Sequence, residues 1–237
     1  TFEYLTITRY IEMGDDKIFK GAVPNTAIWR FEKDNFSRKT NETFSFYCTG
    51  GQLLFTKNEY PISFAELAFV KVGAVSGADP CFLHPEGLEF VCSKTRKTGE
   101  IRRMIYYENH DFLLQYKERL LGRGIKKFSE KNWWEWGRRY YVSDAPRIYV
   151  NNKTRTQNPF FLSEIKAFDG SVLAIFPRFS CSKEELQQFC DDLNQVDWNE
   201  LGFIIDGRYV FAQRSLENIV LPEVFDKYLK MLPKEEL

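Results

Sequence analysis

Apolar residues along this chain recur mostly with the short period of β-strands, and a helical period appears in only three places. The run "TAIWRF" (26–31) reads as a strand, and "FSFYCTGGQLLFT" (44–56) as two strands joined at Gly50-Gly51. "FAELAFVKVGAVSGADPCF" (64–82) reads as a strand entering a glycine-containing loop. "LEFVCS" and "IRRMIYY" read as strands flanking the basic turn "KTRKTGE" (94–100). Further on, "RIYV" (147–150) is a strand, "FFLSEIKAF" and "SVLAIFP" form a hairpin across Asp169-Gly170, and "FIIDGRYVFAQ" is another strand pair. Helical spacing occurs in 110–124, with apolar residues at 112, 113, 116, 120 and 121. Ser182 with Glu185 makes a capping box for a helix to about Gln195, and Pro222 opens a last helix to about Leu232. The expected class is α+β, with hairpin-rich mixed sheets and a few packed helices.

Composition narrows the class. Of 237 residues, 43% are hydrophobic and 16% aromatic, which is the make-up of a folded chain and not a disordered one. No apolar run reaches the roughly 18–20 residues needed to span a membrane. The polar spacer "EKDNFSRKTNET" (32–43) divides the chain into 1–36 and 37–237. The opening Thr1, without a leader pattern, reads as a start part-way through a longer protein. Five cysteines, at 48, 81, 92, 181 and 190, form no Cys-x-x-Cys pair, and only His84 and His110 could join them. That pattern suits reduced thiols in a cytoplasmic protein and offers no metal centre.

Charge adds more than its zero total suggests. Between 115 and 155 stand eleven basic residues against four acids, whereas 181–237 holds twelve acids against six bases. Such segregation lets a neutral chain present one positive face to a polyanionic partner. Within "VNNKTRTQN" (150–158), Lys153 and Arg155 supply charge, Asn151, Asn152, Gln157 and Asn158 supply two-point hydrogen-bonding groups, and Thr154 joins them. Side-chain amides match the adenine edge and arginine the guanine edge. "KNWWEWGRRYY" (131–141) places Trp133, Trp134 and Trp136 before Arg138 and Arg139. Those rings cannot all face one way, so at least one is core, with Trp134 or Trp136 as anchor. The arginines, with Lys126, Lys127 and Lys131, would then form a basic edge, and Lys94, Arg96 and Lys97 a second set of phosphate contacts.

Catalytic motifs are scarce. No Walker loop or Gly-x-Gly-x-x-Gly occurs, and no catalytic triad has visible support. Asp144 with Glu164-Ile165-Lys166 fits the spacing of a Mg²⁺-dependent nuclease, the principal rival. "NPFF" (158–161) departs from the Asn-Pro-Pro-aromatic loop of adenine methylases and reads as a turn. A third possibility is a non-catalytic domain that docks a protein through aromatic and acidic surfaces.

The order of segments resembles the C-terminal part of bacterial adenine-N6 DNA methyltransferases from restriction–modification systems. "FKGAVPNTAIWRFEK" (19–33) is similar to the end of their catalytic domain, and "FVKVGAVSGADPCF" (69–82) to the entry of their target recognition region. "NWWEWGRR", "RIYVNNKTR", "DGSVLAIFP" and "GRYVFAQRSLEN" add to the likeness. The resemblance implies that 1–36 is a catalytic-domain remnant and 37–237 a DNA-binding domain. It also implies an upstream catalytic domain using S-adenosylmethionine, so that this chain has no catalytic residue, cofactor or metal of its own.

Overall fold

The computed structural model describes residues 5–13, 19–20, 26–37, 40, 45–49, 52–56, 58, 60–205 and 207–233. The first half contains β1 (Leu5–Glu12), β2 (Ala27–Lys33), β3 (Ser45–Thr49), β4 (Gln52–Thr56), β5 (Ile62–Ser63), α1 (Phe64–Leu67), β6 (Ala68–Val72), α2 (Asp79–Phe82), β7 (Leu83–Val91), α3 (Thr95–Thr98), β8 (Ile101–Met104) and α4 (Lys117–Leu121). The second half adds β9 (Ile148–Asn151), β10 (Lys153–Thr154), β11 (Phe160–Phe161), β12 (Ala167–Phe168), β13 (Val172–Pro177), α5 (Lys183–Gln195), β14 (Ile204–Ile205), β15 (Arg208–Val210), α6 (Gln213–Glu217), β16 (Val220–Leu221) and α7 (Asp226–Leu229). The class is α+β: several small sheets, mostly antiparallel, with short helices packed on them.

The centre is a four-stranded antiparallel sheet in the order β11, β9, β13, β6. Alternate side chains of a strand point to opposite faces, so a strand covered on both sides must be apolar throughout. β13 meets that condition, as every residue from Val172 to Phe176 is buried. Leu173 and Ile175, with Val70, Ile148 and Val150, face Leu186, Phe189 and Leu193 of α5. Val172, Ala174 and Phe176, with Tyr149, face Val91 and Phe168.

Helix α5 starts where the capping box places it. Ser182 Oγ accepts from the Glu185 N–H at 3.2 Å, and the Ser182 N–H donates to Glu185 Oε2 at 2.7 Å. Its Asn194 amide bonds both backbone groups of Phe160, at 2.9 and 3.1 Å, and so occupies the outer edge of β11. At the other edge, Glu217 of α6 accepts the Val70 N–H at 2.9 Å. Asp192 ties α5 to α7 through Lys227 Nζ and the Tyr228 hydroxyl, both at 2.6 Å.

A second sheet has the order β12, β7, β8, and in it β12 runs parallel to β7. This overturns the hairpin expected across Asp169-Gly170. The 160–168 segment divides: Phe160–Phe161 joins β9, and Ala167–Phe168 joins β7. The Tyr149 hydroxyl donates to Ile165 O at 2.7 Å, and the Asp169 N–H donates to Val91 O at 3.0 Å, so the segment turns out of the central sheet. Gly170 keeps an ordinary negative φ; its bareness admits Val75, whose Cγ2 would lie 2.7 Å from an added Cβ.

Other expectations fare unevenly. β3 and β4 pair antiparallel as read, although Gly50 and Gly51 lie outside the described residues. β14 pairs with β15, which also takes β10. The single helix expected over 110–124 divides into a 3₁₀ turn, Asp111–Tyr116, and α4, with His110 Nδ1 capping the turn at the Phe112 N–H. Trp136 is the aromatic anchor: fully buried, stacked on Phe90 at 5.2 Å, its indole N–H donating to Ile105 O. Trp133 is buried as well, whereas Trp134 is only half-buried. β2 pairs with β1, and Ile28, Trp29 and Phe31 on it are exposed.

Two predictions follow from this packing. A Cβ on Gly73 would meet Asp169 O at 2.0 Å, so Gly73→Ala is expected to lower unfolding free energy by at least about 2 kcal/mol in urea titration. The second concerns Asp192. Burial alone would raise its carboxyl, but bonds from Lys227, Tyr228 and Gln188 hold it below the ordinary value. A depressed carboxylate gives stability present above the unfolded value and lost as pH falls through the folded one. Wild type should therefore lose more stability than Asp192→Asn when acidified from pH 7 into the carboxylate range, read from urea midpoints at each pH.

Candidate nucleic-acid interface

The turn after β7 is rigid for local reasons. Thr95 Oγ1 accepts from the Cys92 N–H at 2.9 Å and donates to Glu100 O at 2.6 Å. Gly99, at φ +72°, closes α3 in the left-handed region. Lys94 is spent on Glu100 at 3.1 Å, whereas Lys97 is exposed and has no ion pair among the described residues. Arg96 points across to another segment: its Nε donates to Asn158 O at 3.0 Å.

That segment is the amide-rich loop. Asn151 enters it buried, its Nδ2 donating to Ser93 O at 2.7 Å, so this side chain is committed to the interior and does not present the base-reading edge expected of it. Asn152 is half-buried and donates to Gly170 O at 2.9 Å. Lys153 and Thr154 pair with Val210 and Tyr209, and Thr154 Oγ1 accepts the Thr156 N–H at 3.0 Å. Lys153, Arg155 and Gln157 are exposed, the last two on alternate positions of the loop. Two segments read separately in the sequence, 94–97 and 151–158, are thus neighbours in space.

The basic stretch 115–155 does not offer all of its charge to the surface, because some of its cations serve the fold. Arg123 and Arg147 are buried. Arg123 donates to the carbonyls of Ser76, Leu120, Trp133 and Glu135 and stacks 3.8 Å from the Phe128 ring centre. Burial pulls its guanidinium down to about 10, still charged at neutral pH. Arg147 donates to Ser143, Ala145 and Lys166 carbonyls. Lys117 pairs with Glu130 and Lys126 with Glu135, at 2.5 and 2.9 Å. Arg138 bonds Gly73 O twice, and Arg139 lies 4.0 Å over the Tyr107 ring. Arg119, Lys127, Lys131, Arg138, Arg139, Lys153 and Arg155 are exposed without an ion pair among the described residues. Arg119 borders a groove of about 470 Å³ walled by the 74–80 loop and by Gly170 and Ser171, beside Asn152.

Sequence reasoning missed Lys71 and Arg178. Lys71 sits 5.4 Å over Phe69 and 5.3 Å over Tyr141, and Arg178 is 5.5 Å from Phe69. Lys71 faces Ala174 in the middle of β13, and Arg178 follows Pro177 at the end away from Asn151. The alternation of Phe69 and Lys71 on β6 was the only available signal.

The nuclease residues do line one cleft, with Arg147, Cys181 and Lys183. Their charges are already matched, Lys166 with Asp144 and Lys183 with Glu164, on fully exposed carboxylates. Among the described residues no cluster of three metal-ligating side chains occurs, and no helix is long and apolar enough to cross a membrane. Compared with known families and with curated proteins, the sequence matches none.

Because Arg123 is a four-carbonyl fork, lysine cannot replace it. Arg123→Lys is expected to cost about 3 kcal/mol in urea titration by stranding buried carbonyls.

Proposed function

We propose that this chain is the DNA-binding target recognition part of a site-specific adenine-N6 DNA methyltransferase of the restriction–modification type. In this reading it grips duplex DNA and reads the target sequence. A catalytic domain carrying S-adenosylmethionine, in the same polypeptide but outside this sequence, performs the transfer. The observation that carries the DNA-binding part is the meeting of the 94–97 turn with the 151–158 loop. It sets side by side two segments that carry the exposed side chains Lys97, Lys153, Arg155 and Gln157, and among the described residues the three cations have no ion pair. Exposed cations on segments that also carry a two-point amide fit a phosphate grip with base-edge contact. The methyltransferase part rests on the segment resemblance.

A recognition domain also helps offset the few kcal/mol needed to extrude a base for methylation, because it holds the flanking duplex.

Lys153→Ala with Arg155→Ala should weaken binding to duplexes of any sequence. Each lost phosphate contact should lower the slope of log affinity against log salt by about 0.9. Fluorescence anisotropy across a salt series measures both. Wild-type chain that ignores duplex DNA at low salt, or a double variant with an unaltered slope, would sink the reading.

A further inference from the structure

Arg96 was expected to be a phosphate contact, and its geometry assigns it another task. Its Nε is used on Asn158 O, a residue 62 positions later in the chain. Asn158 is one of three described non-glycine residues with positive φ, at +51°, and it precedes Pro159. Asparagine tolerates the left-handed region better than most residues but still pays strain there, so the conformation persists only where surroundings enforce it.

The rest of the loop is tied to other segments at its ends, and its middle carries only the local Thr154–Thr156 bond among the described residues. β10 pairs with β15 at the start. At the finish, Phe160 is bound by the Asn194 amide and by β9. Between these anchors the Arg155, Gln157 and Asn158 side chains are exposed. Among the described residues, Arg96 is the one side chain from a distant segment that bonds the backbone there. Its own turn is held by Thr95, Gly99 and the Lys94–Glu100 pair, so it offers a firm anchor.

We propose that Arg96 is a positioning residue: by holding the left-handed Asn158 it sets the direction in which Arg155 and Gln157 project, and so governs sequence discrimination more than affinity. This rests on the DNA-binding reading above. The two roles open to Arg96 differ in what they alter. A phosphate contact adds to the salt slope on every sequence, whereas a positioning residue leaves the slope alone and blurs the preference among sequences.

Arg96→Ala and Arg96→Lys in the full chain separate these roles, since lysine keeps the charge but has no Nε–H. Selection from a randomised duplex library, followed by a salt series on random-sequence duplex, supplies the measurements. Both variants should lose at least tenfold of the wild-type motif enrichment while their salt slopes stay within half a unit of wild type. A slope reduced by about 0.9 in Arg96→Ala, kept in Arg96→Lys, with enrichment intact in both, overturns the proposal. Hydrogen exchange without DNA is the second readout. Amides of 155–158 should exchange at least tenfold faster in both variants, with β9 and β13 unchanged. If wild type binds no DNA, the proposed function fails, but exchange still decides whether Arg96 holds the loop. Unchanged exchange there rejects the inference.

Discussion

One buried carboxylate, Asp169, sits where the sheets of this protein are joined. Its N–H reaches Val91 on β7, its carboxylate takes Ser171 and the Arg102 guanidinium, and its carbonyl takes the Val172 N–H that starts β13. Arg102 continues to Asp79, which Ser76 also bonds. Gly73 and Ala74 close the junction from β6 by donating to Val172 and Phe168. Burial pushes the Asp169 carboxyl up, against the opposing pull of Ser171 and Arg102. An ionisable group so placed is tolerated only because its partners are supplied locally. The candidate interface depends on the same joint, since Asn152 leans on Gly170 and Ser171.

What the sequence disclosed tracks the range of the interactions involved. The Ser182–Glu185 box is local, and helix α5 begins there. β9 and β13 are legible because covering both faces demands an apolar run. The Asp169-Gly170 turn misleads because an Asp-Gly pair announces a hairpin, whereas the choice of partner was made by Val91 and Tyr149, far away in sequence. The 110–124 stretch keeps its helical spacing, yet it divides into a 3₁₀ turn capped by His110 and helix α4.

The site was half legible for the same reason. Composition located the basic stretch and the amide-rich loop, and both segments exist as surface features. Composition could not tell which cations serve the fold. Arg123 and Arg147 bind carbonyls in the interior, a use that depends on backbone groups no pattern reveals. Asn151 behaves likewise, holding Ser93 and with it the neighbouring turn. A count of positive residues therefore overstates the charge available to a partner, and each guanidinium has to be followed to its acceptor.

The side chains that close the central sheet also limit how this molecule can assemble. Asn194 fills the rim of β11 with an amide that imitates another backbone, and Glu217 sets a negative charge against Val70 on the far rim. A fifth strand from a neighbouring copy would have to displace both. Polymerisation through backbone zippering is thereby discouraged at the sheet that carries most of the hydrophobic interior, and encounters with other molecules are left to side chains on the loops.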